Sequence, residues 1–374
     1  MSWRRESLRD QRVEFVIRAS RGECLSELCR EYEISRPTGY VWLKRFGERG
    51  VAGIEERSRR PHLSPRQTSP VLEARIVALR RQRPDWGARK LAVLLEREGS
   101  SLPVITVHRV LLRYGLVLDR ERRQQATGRF QRERPNELWQ MDFKGQKGSE
   151  AAIGPLSVLD DHSRYLVALE QTGTTRLEAV RERLEGVFQR SGLPEAMLMD
   201  HGVPWWNGSV PRGWTQLSVW LMRQGIRCCF SGVRHPQTQG KVERFHGVLE
   251  RARARPDAAL WLEQSWLDAF RREYNELRPH EALDMRSPAS LWQPSPRAYD
   301  PNPPAWEYGE AAELRKVNSD ADIYINDFPW KVSKALRRER VQIQRLDQRI
   351  LVFFCNTLVR EIDLCAQRST AVDR

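Results

Sequence analysis

No apolar run in these 374 residues approaches the roughly 18 that would suggest a membrane span. Met1 to Asp10 is charged and lacks an apolar stretch of signal-peptide type, so a cytoplasmic address is expected. Six cysteines (Cys24, Cys29, Cys228, Cys229, Cys355 and Cys365) form no Cys-x-x-Cys pair, and the vicinal Cys228-Cys229 makes a poor disulfide framework. Reduced, mostly buried thiols are the expectation. No structural zinc is expected. No internal repeat of solenoid type appears.

What is present is a soluble, multidomain composition, 40 % hydrophobic and 30 % charged, with room for two to four domains. The net charge of +14 is unevenly placed. Residues 1–135 hold 30 Lys+Arg against 17 Asp+Glu, whereas residues 136–374 hold 33 against 32. An Arg-rich module beside a near-neutral remainder suits a polyanion such as DNA. A merely soluble basic surface would explain the charge but not its confinement.

The first third reads as a tandem helix-turn-helix. Arg9–Ser20 and Leu25–Tyr32 are expected as helices, with Val13, Val16, Ile17, Leu25, Leu28 and Cys29 inward. Ser35 is placed to cap a third helix with Pro37 in its first turn. That helix is expected to bury Tyr40, Leu43 and Phe46 or Trp42, and to turn Arg36, Thr38, Lys44 and Arg45 toward DNA. A plain three-helix bundle shares the apolar spacing. Residues 57–70, with Arg59 and Arg60, form a basic, proline-punctuated linker, suited to a minor groove or to simple spacing. A second helical set spans 71–118, and Thr106–Tyr114 is its candidate recognition helix with His108, Arg109 and Arg113 outward. Residues 119–135 are a second basic linker.

From Leu138 strands alternate with helices, implying an α/β layer core over 136–293. After a proline-rich stretch, short strands over 305–365 imply a small all-β barrel. Within the core, Asp142 stands mid-strand, where aspartate is disfavoured. Asp200 ends a short apolar strand, and Glu243 shares a helix face with Gln239 and His246. Such hard oxygen donors favour Mg²⁺ or Mn²⁺ over zinc. Singly, each also has an ordinary reading: a strand aspartate paired with arginine, a turn former before Gly202, and a solvated helical glutamate. Lys241 and Arg244 suit DNA phosphates or plain solvation; His246 suits the acidic site or packing. Asp160 and Asp161 sit in a hairpin turn and read as structural.

Four blocks decide between these readings. His235–His246 closely resembles the segment around the catalytic glutamate of bacterial insertion-sequence transposases with a retroviral-integrase-like core. Trp139–Phe143 is similar to that family's first-aspartate strand, and Leu159–Tyr165 to its second strand and turn. Tyr274–Leu283, continued by Ser287-Pro288-Ala289, resembles the segment after the core. The blocks stand in family order. The resemblance implies an RNase H-like core in which Asp142, Asp200 and Glu243 ligate two Mg²⁺ or Mn²⁺ ions. It further implies cleavage at the terminal inverted repeats of a mobile element, attack of the freed 3′-OH groups on target double-stranded DNA, and no covalent protein–DNA intermediate. A homo-oligomer on paired ends, associated with a bacterial nucleoid, is the expected partner state. Retroviral integrases carry an N-terminal His-His-Cys-Cys zinc module, whose spacing is absent. The sequence also departs from the family at His201, where Asn is commoner, and in a Trp-rich interval, 205–220, suited to an internal patch or a partner subunit. The alternative function is a catalytically silent, transposase-derived DNA-binding regulator; a structure-specific nuclease would not require two helix-turn-helix units.

Overall fold

The computed structural model describes residues 8–55, 67–117, 131–145, 153–208, 213–231 and 240–372. Contacts divide the chain into two compact units, Met1–Gln67 and Thr68–Arg374. In the first, α1 (Leu8–Ser20), α2 (Leu25–Glu31) and α3 (Arg36–Arg49) close on a 3₁₀ turn at Gly50–Ile54. Ser35 caps α3 by accepting the Thr38 N–H at 3.3 Å, as its short oxygen-bearing side chain allows. Phe15, Val16, Leu28, Cys29 and Ile54 form the core. Tyr40, expected inside, is 63 % exposed. The inward position belongs to Gly39, where a Cβ would lie 2.8 Å from Cys29 Sγ and 3.1 Å from Phe15 Cζ. The helices approach through that missing side chain, and the neighbouring aromatic ring is turned out. Ile17 likewise stands 36 % exposed rather than inward.

The second unit opens with α4 (Pro70–Gln82), α5 (Ala88–Arg97) and α6 (Val104–Arg113). Ile76, Leu79, Trp86, Leu91, Leu95, Val107 and Val110 pack between them. The buried Arg80 guanidinium donates to Trp86 O at 2.5 Å and Leu116 O at 3.1 Å, closing the bundle's end.

The central sheet comprises β1 (Trp139–Phe143), β2 (Leu156–Asp160), β3 (Leu166–Glu170), β4 (Ala196–Met199) and β7 (Arg227–Phe230). Its order is β3-β2-β1-β4-β7. β1, β2 and β3 pair antiparallel, while β4 runs parallel to both β1 and β7. Helix α7 (Leu177–Ser191) buries Val180, Leu184, Val187 and Phe188 in a core shared with Trp139 and Met141. Across the sheet, Leu159, Leu166 and Leu169 meet α9 (Gly240–Ala252) and α10 (Gln264–Arg272) through Phe245, Leu249, Leu267 and Phe270. The result is an α/β layer core with a mixed sheet.

Between β4 and β7 lie the small hairpin β5 (Trp206–Asn207)–β6 (Gly213–Trp214) and helix α8 (Gln216–Arg223). Trp205, Trp206, Trp214 and Trp220 are buried in the core shared with the C-terminal strands. These four tryptophans therefore pack internally. Trp214 Nε1–H donates to Val359 O at 2.9 Å, and Ser333 Oγ–H to Trp214 O at 3.4 Å.

The C-terminal strands are β8 (Glu313–Lys316), β9 (Asp322–Ile325), β10 (Phe328–Lys331), β11 (Arg340–Leu346), β12 (Arg349–Phe354), β13 (Thr357–Asp363) and β14 (Arg368–Ala371). The expected barrel is an open arrangement instead: a five-stranded antiparallel sheet, β14-β13-β12-β11-β8, beside the hairpin β10-β9. Closure is unnecessary because the apolar face, with Val341, Ile343, Ile350, Val352 and Ile362, is covered by its own hairpin and the tryptophans of the core. All six cysteines are free thiols; Cys24 and Cys365 are exposed. Among the described residues, no helix is long and apolar enough to cross a membrane.

Candidate active site

The sheet's register brings two acids to one edge. Gln140 on β1 pairs with Leu198 on β4 in parallel. Two residues beyond each stand Asp142 and Asp200, and the two-residue repeat of strands sends both toward the same side. Asp200 follows the last residue of β4 and is held there: the Gly202 N–H reaches its Oδ1 at 3.0 Å and the Trp205 indole N–H at 2.5 Å. Trp205 in turn stacks on Phe143, the neighbour of Asp142, with ring centroids 5.5 Å apart.

Helix α9 carries Glu243 to these acids. Its first turn hangs on β1, because the Val242 N–H donates to Gln140 Oε1 at 3.2 Å. Gln140, fully buried, also donates through Nε2 to Asp161 at 2.9 Å. One turn later, His246 Nε2 lies 3.1 Å from Ser157 Oγ, and its Nδ1 3.7 Å from Asp142 Oδ2. Burial, then the charge of Lys144, pushes the His246 pKa down to about 4, so the imidazole is neutral near pH 7 and the approach to Asp142 is no ion pair. Burial, with the negative charges of Asp200 and then Glu243, pushes the Asp142 carboxyl up to about 7 against the Phe143 backbone N–H. The acids thus share one electrostatic field. Among the described residues no three His, Cys, Asp or Glu groups are drawn into a closed metal-holding cluster.

The remaining acids of this region have structural partners. Asp160 accepts the Asn136 and Ser163 N–H groups at 2.7 Å each and the Ser163 hydroxyl at 2.5 Å. Asp161 accepts the Arg132 N–H at 2.8 Å and the Lys241 ammonium at 2.5 Å. Lys241, a candidate phosphate contact, is thereby turned inward, 14 % exposed in its side chain. Burial pushes its pKa down to about 8 despite Asp161. Arg244, next along α9 from Glu243, is exposed.

Seven further DNA-contact candidates lie on α3 and α6. Arg36 and Lys44 are exposed on α3, and Lys44 lies 4.0 Å from Glu48. Thr38 Oγ1 stands 2.8 Å from Ser35 Oγ, and Arg45 lies 4.9 Å over the Trp42 ring. His108 and Arg109 are exposed on α6, while Arg113 pairs with Glu73 at 2.5 Å. Arg59, Arg60 and the His235–Gln239 part of the family-like block fall outside the described residues. Sequence reasoning missed Trp205, Gln140 and Ser157. Gln140 left a signal as a polar residue inside the apolar Trp139–Met141 run, and Trp205 only as part of the Trp-rich interval. His201, one of the departures, packs edge-on to Trp206 at 5.3 Å and against Phe230 at 5.4 Å.

Three family models match: a helix-turn-helix domain over residues 11–62, a homeodomain-like domain over 38–111 and an integrase core domain over 224–288. The last includes Glu243. The insertion element IS407 uncharacterized 31.7 kDa protein of Burkholderia multivorans is 28 % identical over 61 % of this chain and 82 % of its own length. The insertion element IS476 uncharacterized 39.2 kDa protein of Xanthomonas euvesicatoria is 26 % identical over 72 % and 79 %. Among solved structures, a chain of the simian T-cell lymphotropic virus intasome in complex with PP2A regulatory subunit B56 gamma is 12 % identical, over 80 % of this chain and all of that one, with a TM-score of 0.39. The helix-turn-helix and integrase-core matches, with the insertion-element relatives, support an insertion-element transposase with an integrase-like core.

Proposed function

We propose that this protein is a DNA transposase that binds terminal inverted repeats, cleaves at their 3′ ends and joins the freed 3′-OH groups to target DNA. One observation carries the reading: Asp142, next to last in β1, and Asp200, just past the end of β4, stand at the same edge of adjacent parallel strands, and the charge of Glu243 on α9 reaches Asp142. Three carboxylates with no thiolate among them suit Mg²⁺ or Mn²⁺ rather than zinc, and their crowded like charge is what a dication offsets. Asp142, Asp200 and Glu243 would hold two such ions, which supply charge stabilisation to both oxygens of an in-line displacement at phosphorus. The rest falls to the chain itself. Trp205 and Gly202 fix the Asp200 carboxylate, and Gln140 and Ser157 set the height of α9 over β1 and β2.

Residues 1–56 and 71–118 act as end-binding modules, with the basic segments 57–70 and 119–135 along the duplex, on a core at 136–293 and a C-terminal β domain at 305–365. Arg36, Thr38, Lys44, Arg45, His108, Arg109, Arg113 and Arg244 are the proposed DNA contacts, with Arg59 and Arg60 in the first linker. Joining two ends requires at least two protomers. The test is strand transfer from end-containing oligonucleotides in Mg²⁺ or Mn²⁺. Asp142→Ala, Asp200→Ala and Glu243→Ala should each abolish it while leaving end binding intact. Unaltered activity in any of them overturns the mechanism, and tight end binding without cleavage by the unmodified protein indicates a silent regulator.

A further inference from the structure

A cleft of about 740 Å³ lies within the second unit, between the start of α5 and α6 on one side and Arg251 and Arg278 of the core on the other. Its walls carry Arg89, Lys90, Arg251, Arg278 and His108 against only Asp85 and Glu281. Both acids already have partners. Asp85 accepts from Arg278 at 2.7 Å and Arg255 at 3.0 Å, and Glu281 stands 3.8 Å from Arg89. With four Arg and Lys side chains against two acids, the lining carries net positive charge. Gly87 at the N-cap of α5 brings no side chain to cap that helix's first turn, whose N–H groups favour an anion. Val104, Ile105 and His108, at the start of the candidate recognition helix, line the same cleft as these basic side chains.

Arg251 ties this cleft to the acidic edge. It lies on α9, eight positions after Glu243, so the two Cα atoms are separated by about 12 Å along the helix. Its Nη1 folds back over Gly247, 3.5 Å from where a Cβ would stand, and so points toward the Glu243 end. At about 3.4 Å per base pair, 12 Å corresponds to about three to four base pairs of duplex.

We propose that this cleft grips the backbone of the element-end duplex about three to four base pairs inside the cut, with Lys90 and Arg251 on the phosphates and the start of α6 toward the bases. The proposal rests on the catalytic reading of Asp142, Asp200 and Glu243 for its distance to the cut, but not for the binding itself. Burial and the Arg278 charge push the Lys90 pKa down to about 8, a suppression that a phosphate neighbour relieves.

Metal-free binding of end duplex by the full-length protein tests it. Lys90→Gln with Arg251→Gln should weaken binding about tenfold and shrink the salt dependence of log K by about 1.8, the loss of two phosphate contacts. Val104→Glu places an acid in the first turn of α6, where it favours the helix, and should weaken binding about fivefold with no loss of thermal midpoint. Methylphosphonates placed singly along the duplex should weaken the unmodified protein about three to four base pairs inside the cut and leave the double variant unaffected there. If both variants bind end duplex with unmodified affinity and salt dependence, the cleft is not a DNA site, whether or not the ends are cut. If the variants and methylphosphonates behave as stated but the unmodified protein never cuts, the grip stands and the catalytic reading falls.

Discussion

Trp205 and Lys241 show how differently two residues beside one acidic edge are used. The indole N–H of Trp205 is aimed at Asp200 Oδ1, so Trp205→Phe keeps the ring on Phe143 but removes the donor. Strand transfer should fall about 10–100-fold, as for outer-shell partners of metal-binding carboxylates, and more Mg²⁺ should be needed for half-maximal rate. An unchanged Mg²⁺ titration in a folded Trp205→Phe protein would show that the carboxylate does not depend on this bond. Lys241 is its opposite, a basic residue next to Glu243 whose charge is consumed by Asp161. Lys241→Gln leaves the Asp161 carboxylate buried without its ammonium, at a cost of about 3 kcal/mol in urea unfolding. Its affinity for DNA should keep the unmodified salt dependence. A reduced salt slope with unaltered stability would restore Lys241 as a phosphate contact.

At the scale of elements, Asp142 and Asp200 stand out in the sequence because each breaks a local rule, whereas Glu243 stands out only through the family-like block around it. An aspartate in the strand Trp139–Phe143 conflicts with propensity, and an apolar run ending at Asp200 marks a sheet edge. Where no rule was broken, the sequence was mute. β7, Arg227–Phe230, has four residues and no polar alternation to announce it, yet it completes the sheet beside β4. The inward turn of Lys241 depends on a partner 80 positions away. Gly39 displaced Tyr40 because helix periodicity cannot say which of two adjacent positions meets the side chains of the neighbouring helices. The π-helical turn Glu273–Leu277 continues α10 and leads to His280, packed edge-on to Tyr274 at 4.8 Å. Burial, followed by Arg278, Lys90 and Arg164, pushes the His280 pKa down to about 3. Between pH 6.5 and 3 the unfolded imidazole takes a proton that the folded one refuses, so the unfolded state binds more protons and stability falls as pH falls. His280→Phe should flatten that part of the stability profile. A profile identical to the unmodified protein's from pH 6.5 to 4 would mean that His280 charges freely in the fold.

For the whole molecule, the decisive contact is the one that joins the second helix-turn-helix to the core. Asp85, between α4 and α5, is buried against Arg255 and Arg278, both about as buried as the acid itself, and Arg255 also meets Glu273 at 2.9 Å. The two guanidiniums hold the Asp85 carboxyl below its ordinary pKa even though burial, the largest influence, acts the other way. Such a pair is a poor source of net stability but a costly one to break, because the surviving charges stay out of water. Asp85→Asn therefore takes the carboxylate away from both arginines and leaves Glu273 beside Arg255 only, and unfolding should lose about 3 kcal/mol. Asp85→Leu combined with Arg278→Met should cost less than Asp85→Asn, since no charge is then stranded by the change. The same lock carries the cleft, one wall of which belongs to α5 and α6 and the other to the core. Loosening it should uncouple reading from cutting: Asp85→Asn should still bind end duplex through α3, yet cut at dispersed positions rather than one. Hydrogen exchange should show faster exchange across α4–α6 with little change in β1–β4. Cleavage confined to the unmodified position in a protein whose α4–α6 amides have lost protection would show that the lock serves stability alone.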